Sequence, residues 1–179
     1  MSLDKGRKAI FSLGILCVVL CAVSAAQAQE SPVILSGAEL TRIVPPGFYF
    51  EGQSAPTQMR NSAAARLAPK RHVIAGMVDT TGYSSDVRAK YEGFFITDSA
   101  VQIGEGVLAA GAYGFGFTQD GQFNLFDVGG QAVMSVRTTP DPGLARPRPL
   151  MMSVDKDGLR LYSGRNYVRI TARPKEIQL

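Results

Sequence analysis

Polar side chains that could bind a ligand concentrate in one loop of the chain. Residues 80–86 are rich in hydroxyl groups, and alternating charges follow at Arg88, Lys90 and Glu92. Loops carried on a rigid scaffold are common positions for binding residues. On a strand, these three charged side chains would share one face, which is also the pattern of a solvated surface strand. The ligand-binding residues that we predict at this loop are Tyr83, Asp86 and Arg88.

Aromatic residues and glycines alternate along a second predicted strand. Tyr113, Phe115 and Phe117 occupy every other position, with Gly114 and Gly116 between them. Side chains at every other position of a strand lie on the same face, so this strand has one aromatic face and one bare face. An aromatic face packs into a core or lines a cavity for a small apolar ligand. Both alternatives stay open, and under the second the three aromatic residues bind the ligand.

The residue types required for several catalytic and metal sites are scarce. His72 is the only histidine, which excludes a three-histidine zinc site and a two-histidine iron site. No serine lies in a nucleophile-elbow motif that would let His72 act as the base of a triad. We therefore predict no catalytic residue, no metal site and no cofactor.

Carboxylates leave one catalytic alternative open. Glycoside hydrolysis needs two acidic side chains that flank the scissile bond, and perturbed pKa values are typical of such groups. Nothing in the spacing of the sequence selects a pair. By residue type alone the candidates are Asp79, Asp86, Glu92, Asp98 and Asp127.

Residues 1–28 have the three parts of a secretory signal peptide. Basic residues come first, residues 9–23 are apolar, and residues 26–28 read Ala-Gln-Ala. The apolar run is shorter than the ~20 residues needed to span a bilayer, so we predict cleavage after residue 28. Leucine precedes both cysteines of this segment, which does not fit a lipid-attachment signal. We expect a soluble product in the periplasm or outside the cell, with no stable membrane insertion.

Removing this segment changes the composition. Both cysteines leave, which excludes thiol catalysis and cysteine-bound zinc in the mature chain. Three basic residues and one acidic residue leave with them, so 16 basic and 14 acidic residues remain and the net charge falls from +4 to +2. A charge this small gives no general attraction to nucleic acid, and we expect no nucleic-acid partner.

Arginine is concentrated in the last third of the chain. Such a group favours an anionic envelope polymer as a partner, although arginine is also an ordinary solubilising residue on exposed strands. No aromatic residues interleave these arginines in the way that binding of single-stranded nucleic acid requires. The seven are Arg137, Arg146, Arg148, Arg160, Arg165, Arg169 and Arg173.

The rest of the sequence predicts one all-β domain over residues 29–179. Short strands recur at roughly 8–12-residue spacing with turns between them, which favours an antiparallel β-barrel or β-sandwich. We prefer a barrel-like closure. Residues 29–56 form an N-terminal region of strand, helix and linker, residues 57–173 form the β core, and residues 138–149 form a surface loop rich in arginine and proline.

Local signals place three elements within this domain. Ser36 and Glu39 match a capping box at the start of a short N-terminal helix, which ends before Pro45. Residues 57–67 fit a strand or a helix. Residues 151–162 predict a hairpin that turns at an Asp-Gly step.

A β-scaffold with an export signal and no recognisable catalytic group is typical of a binding protein. We therefore predict an exported, non-enzymatic binding or interaction module of the bacterial envelope or periplasm. Its expected partner is a small apolar ligand or an anionic envelope polymer. The alternative is a carboxylate-dependent hydrolase or isomerase that acts on a substrate outside the cytoplasm.

Overall fold

The computed structural model describes residues 31–156 and 158–173. The predicted signal peptide and Asp157 of the predicted Asp-Gly turn lie outside the described residues. The described chain is mostly β-structure in two antiparallel sheets, as predicted. None of its helices is long and apolar enough to cross a membrane.

Within the described residues the larger sheet has eight strands. The strands are β1 (Val33–Leu35), β2 (Gly47–Phe50), β3 (Gln53–Ala68), β4 (Arg71–Val78), β5 (Gly93–Thr97), β8 (Gly111–Phe117), β9 (Gln122–Phe126) and β10 (Ala132–Arg137). Their spatial order is β1-β3-β4-β5-β8-β9-β10, and β2 pairs with β3. The segment left open between strand and helix therefore belongs to the long strand β3.

The smaller sheet has six strands in the described part of the chain. Their order is β12-β13-β14-β6-β7, and β11 pairs with β14. The strands are β6 (Val101–Ile103), β7 (Gly106–Leu108), β11 (Thr139–Pro140), β12 (Arg148–Asp155), β13 (Gly158–Gly164) and β14 (Asn166–Ala172). The predicted C-terminal hairpin is confirmed, because β12 and β13 pair from Asp155 and Gly158 outward.

The first core lies between the two sheets. Phe95, Phe115 and Leu125 of the larger sheet pack in one cluster with Leu161 and Ile170 of the smaller sheet. All five are at most 1% exposed. Two antiparallel sheets that share a core in this way form a sandwich-like arrangement.

The preferred barrel-like closure is wrong. A closed barrel needs ladder hydrogen bonds between the edge strands of the two sheets, and the ladders of the two sheets remain separate. At one open side, Met134 and Val136 of β10 instead lie against Gly106 and Gly104 of the β6–β7 hairpin. The two sheets meet there through side chains.

A second core covers the outer face of the larger sheet. Phe48 stacks on Phe94 with ring centroids 5.2 Å apart, and Phe50 stacks on Tyr91 at 4.0 Å. Adjacent residues of β5 point in opposite directions, so Phe94 belongs to this second core while Phe95 belongs to the first. The central part of the sheet is therefore buried on both faces.

Two short helices accompany this second layer. The predicted N-terminal helix is α1 (Gly37–Ile43), but Ser36 makes no side-chain capping hydrogen bond, so the predicted capping box does not form. The other helix, α2 (Ser85–Lys90), occupies the end of the predicted loop of residues 80–86 and the positions after it, where a charged strand face was considered. Ser84 begins it by accepting a hydrogen bond from the Val87 N–H group at 3.4 Å.

Candidate functional site

The predicted aromatic face is part of the first core. Phe115 is 1% exposed, and Tyr113 and Phe117 are half-buried against the same cluster. The Tyr113 hydroxyl donates to the carbonyl oxygen of Ala109 at 3.1 Å. The glycines on the opposite face make room for the second layer, since the Phe50 ring lies over Gly114.

The three residues predicted at the polar loop point in different directions. Tyr83 is 5% exposed and belongs to the second core, where its hydroxyl donates to the Gln53 carbonyl oxygen at 2.9 Å. Asp86 and Arg88 are exposed on α2. They are two positions apart on a helix, so their side chains do not face each other. The predicted strand face that would join Arg88, Lys90 and Glu92 is absent, because the helix runs to Lys90.

A different site lies where two turns and the end of α2 meet. Residues of the β2–β3 turn, the β9–β10 turn and the end of α2 line an open groove of about 710 Å³. Tyr49 lines it and is 54% exposed. The other lining residues are Glu51, Gly52, Lys90, Val128, Gly129, Gly130 and Gln131.

The β2–β3 turn fixes one wall of this groove. Glu51 and Gly52 have φ values of 43° and 88°, and Phe50 pairs with Gln53 across them. Positive φ at both central residues is the geometry of a two-residue type I′ hairpin turn. The Glu51 N–H group donates to the Val128 carbonyl oxygen at 2.9 Å, which ties this turn to the other wall.

The β9–β10 turn is held by Asp127. One carboxylate oxygen of Asp127 accepts hydrogen bonds from the N–H groups of Gly129 and Gln131, both at 2.9 Å. Asp127 was one of the carboxylates considered as a catalytic acid. In the structure its carboxylate accepts hydrogen bonds that stabilise the turn. Gly130 has a φ of 84° and lies directly beneath the Glu51 carboxylate.

An ion pair crosses one end of the groove. Lys90 Nζ lies 2.6 Å from Glu51 Oε1 and 5.6 Å from the centroid of the Phe126 ring. Both ionic side chains are partly exposed, at 38% and 23%. Because the two charges neutralise each other, the lining of the groove carries no net charge.

A second groove lies along the β9–β10 hairpin. It encloses about 420 Å³, and Phe126 both lines it and lies under the Lys90 ammonium group of the first groove. Val128 lines the first groove at 43% exposure, and Val133 lines the second at 46%. The remaining lining residues of the second groove are Asn124, Ala132, Met134 and Ser135.

We predict that Gly130→Ala destabilises the protein by about 1–3 kcal/mol, because alanine is strained at positive φ. Its β-carbon would also overlap the Glu51 carboxylate and displace it from Lys90. Gly129→Ala is the matched control, since Gly129 has no positive φ and its nearest neighbour, Asp127 Oδ1, would lie 3.3 Å away. Urea denaturation measures the free energy of unfolding of both variants. Equal losses in the two variants would contradict this account.

Glu92 is the predicted candidate acid whose pKa is raised. Its Oε2 atom accepts a hydrogen bond from the Phe117 N–H group at 2.9 Å. Burial raises the pKa of the Glu92 carboxyl above its ordinary value, and the hydrogen bond from Phe117 opposes this shift only in part. Its carbonyl oxygen also accepts from the Val78 N–H group at 3.1 Å. Glu92 therefore joins β4, the start of β5 and the end of β8.

This raised pKa predicts a pH-dependent stability. The folded state holds the Glu92 proton more tightly than the unfolded state, so this contribution is complete below the unfolded pKa and is lost as pH rises through the folded pKa. Glu92→Gln does not titrate, and its amide oxygen can still accept the Phe117 N–H bond. We expect its unfolding free energy to rise relative to wild type between pH 4 and pH 8 in urea denaturation. A constant difference across this range would contradict the prediction.

The other candidate carboxylates are spread over the surface. Asp98 Oδ2 lies 3.0 Å from His72 Nδ1, and Asp98 Oδ1 accepts a hydrogen bond from the His72 N–H group at 2.8 Å. The Thr81 N–H group donates to Asp79 at 3.0 Å and lowers the pKa of that carboxyl. Across residues 31–156 and 158–173, no cluster of three His, Cys, Asp or Glu side chains could hold a metal ion.

Several of the seven arginines hold structural positions on the smaller sheet. Arg160 and Arg169 each place Nε 3.3 Å from Asp155 Oδ2. The Tyr162 hydroxyl donates to Asp141 at 3.0 Å, and Arg165 donates to the carbonyl oxygens of Pro142 and Leu144. The Tyr162 and Arg165 bonds fasten residues 141–144 to the β13–β14 hairpin. The predicted surface loop of residues 138–149 is therefore shorter in the structure, because Thr139–Pro140 form β11 and Arg148 begins β12. Arg137, Arg146 and Arg148 are exposed.

Comparison of the chain with protein-family models, with curated proteins and with solved structures found no match.

The groove residues were missed at the sequence level, although two signals mark them. Phe48, Tyr49 and Phe50 alternate on a strand, so two buried phenylalanines direct Tyr49 outward. A glycine follows Glu51 at the position that a tight hairpin turn requires. Neither signal shows that the β9–β10 turn lies opposite.

Proposed function

We propose that this chain is an exported, non-enzymatic binding module that holds its ligand in the groove between the β2–β3 and β9–β10 turns. The observation that carries the proposal is the exposed Tyr49 ring, which lines this groove beside the Glu51–Lys90 ion pair. A large aromatic side chain that is exposed to solvent beside polar groups is typical of a recognition surface. Export rests on the signal-peptide pattern of residues 1–28.

The rigidity of both walls supports a binding role. Asp127 fixes one turn by accepting hydrogen bonds from the Gly129 and Gln131 N–H groups, and the Glu51 N–H bond to Val128 joins the turns. Turns whose backbone is already fixed lose little conformational entropy when a ligand binds. A groove of this kind is suited to hold a ligand without a conformational change.

The groove favours binding over the alternative carboxylate-dependent hydrolase or isomerase. That chemistry needs two acidic groups on either side of a bond, and the first groove is lined by one carboxylate, Glu51. This carboxylate is engaged by Lys90 at 2.6 Å. Glu92, the acid with a raised pKa, is not a lining residue of this groove.

Two ligand classes expected from the sequence have different places on this surface. A small apolar ligand would use the second groove, where Phe126 and Val133 supply apolar surface. An anionic envelope polymer would instead use the exposed Arg146 of the loop before β12 and the exposed Arg148 at the start of β12. The ion-paired groove has no excess positive charge to attract it.

A ligand screen on matched variants tests the proposal. The mature chain is mixed with neutral oligosaccharides, acidic oligosaccharides, fatty acids and six-residue peptides, and binding is detected by saturation-transfer NMR. We expect one class to bind wild type and Val107→Ala equally, and Tyr49→Ala about tenfold more weakly. Val107 is 48% exposed on β7 of the other sheet, so its variant controls for loss of an exposed apolar side chain. Binding that is unchanged in Tyr49→Ala would refute the proposal.

A further inference from the structure

We infer that the ligand of the two adjoining grooves is a neutral oligosaccharide, an inference that rests on the proposed binding function. The linings of both grooves carry no net charge. Glu51 and Lys90 neutralise each other across the first groove, and no charged residue lines the second. A site without net charge gives no long-range attraction to an anionic or cationic polymer.

Tyr49 offers an exposed aromatic ring to a ligand in the first groove. The pyranose ring of a sugar has faces made of C–H groups, which pack on the face of an aromatic ring. Tyr49 presents a ring of this kind at 54% exposure, and its amphipathic character suits a position between apolar and wet surroundings. An isolated exposed aromatic residue in an open groove fits a ligand that is apolar only on its faces.

The polar groups of both grooves suit sugar hydroxyls. Each sugar hydroxyl both donates and accepts, so its site must offer both kinds of group. Gln131 and Asn124 do both through their amides. Beyond the two atoms joined in their ion pair, Glu51 can accept through its second carboxylate oxygen and Lys90 can donate through its remaining N–H groups. A fatty acid would give the two amides no hydrogen-bond partner, and unpaired polar groups oppose binding.

The shape of the surface fits a chain of several units. Both grooves are open, and their linings follow one another along the β9–β10 hairpin, with residues 128–131 in the first and residues 132–135 in the second. A closed pocket would accept one small molecule, whereas an open path of two grooves accepts several units of a chain. We therefore assign the site to an internal segment of an oligosaccharide.

An extended peptide is the competing occupant. β10 is the last strand of the larger sheet, and a peptide strand can add to such an edge. However, the register of β10 shifts between Ala132 and Met134, and a bulge at an edge strand disrupts the pattern that a new strand would pair with. These observations favour the oligosaccharide.

The test uses the mature chain and defined probes. Neutral hexasaccharides of glucose, mannose, galactose and N-acetylglucosamine are compared with a galacturonic acid hexamer and a six-residue Thr-Val peptide by calorimetry and amide NMR. We expect a neutral hexasaccharide to bind and its affinity to change less than about twofold between 50 and 500 mM salt, since screening acts on charges. Gln131→Ala should weaken binding by about threefold or more and Tyr49→Ala by about tenfold, with Val107→Ala unchanged.

The outcomes separate the inference from the proposed function. If the galacturonate or the peptide shifts the groove amides and the neutral hexasaccharides do not, the oligosaccharide assignment is wrong and the binding function stands. Peptide shifts confined to residues 132–137 would instead identify β10 as a docking edge and overturn the assignment. If no probe shifts the amides of residues 49–52 and 128–131, both the assignment and the proposed function fail.

Discussion

Replacing Phe50 with alanine is expected to lower the free energy of unfolding by about 3–5 kcal/mol, the usual cost of removing a buried phenylalanine. Phe50 is fully buried. Its ring stacks on Tyr91 at 4.0 Å and meets the edge of Phe126 at 6.3 Å. Its removal leaves a cavity over Gly114, where the bare strand face has no side chain to fill it.

Urea denaturation of Phe50→Ala against Tyr49→Ala tests this second core. The two residues are neighbours on β2 but face opposite sides, because one is buried and the other is 54% exposed. We expect Tyr49→Ala to change stability by less than about 1 kcal/mol. A Phe50→Ala loss as small as that of Tyr49→Ala would mean that β2 does not pack on the larger sheet as described.

Gly93→Ala is expected to destabilise by about 3 kcal/mol or more, at the upper end of overpacking effects. A β-carbon at Gly93 would overlap the Gly76 carbonyl oxygen and lie 2.9 Å from Met77 Cα. These are backbone atoms of the neighbouring strand β4, which cannot move aside as a side chain does. Relief requires β4 and β5 to separate in the centre of the larger sheet.

Thermal and urea unfolding of Gly93→Ala should be compared with Gly143→Ala. Gly143 lies in the exposed loop, and its nearest neighbour to an added β-carbon, Asp141 Oδ1, is 3.5 Å away. Its replacement should change stability by less than about 0.5 kcal/mol. If Gly93→Ala changes the free energy of unfolding as little as Gly143→Ala does, β4 and β5 do not approach each other as closely as described.

The elements that depend on local sequence were predicted well. The hairpin of β12 and β13 and the end of α1 before Pro45 follow from turn and helix-stop chemistry within a few residues. α2 was missed because a helix of six residues has too few turns to display a periodic apolar face. The sequence could not distinguish strand from helix in β3, because its alanines favour a helix. Pairing with β4 makes this segment a strand in the folded chain.

The barrel was mispredicted for a different reason. The spacing of strands and turns is the same in barrels and sandwiches. The choice depends on whether edge strands pair, which involves β7 and β10, about 30 positions apart in the sequence. Between β7 and β10, side-chain contacts of Met134 and Val136 with Gly106 and Gly104 take the place of ladder hydrogen bonds.

The predicted site residues belong to sequence patterns that core residues and binding residues share, and only their burial in the structure distinguishes the two. The alternation at Tyr113, Phe115 and Phe117 is the same for a core face and for a cavity wall, and only the opposing sheet shows that Phe115 is packed in the core. Tyr83 lay in a hydroxyl-rich loop but supports the second core. The groove joins Tyr49 to Gln131 across more than 80 positions of sequence, a juxtaposition that only the folded chain creates.

The most direct test of the account is amide chemical-shift mapping of the mature chain with the panel of neutral and acidic oligosaccharides, fatty acids and peptides. The account predicts that a bound ligand shifts the amides of residues 49–52 and 128–131 together, and leaves those of residues 158–164 on the other sheet unchanged. Shifts that cluster on the smaller sheet, or no shifts with any class, would contradict the assignment of the groove as the binding site.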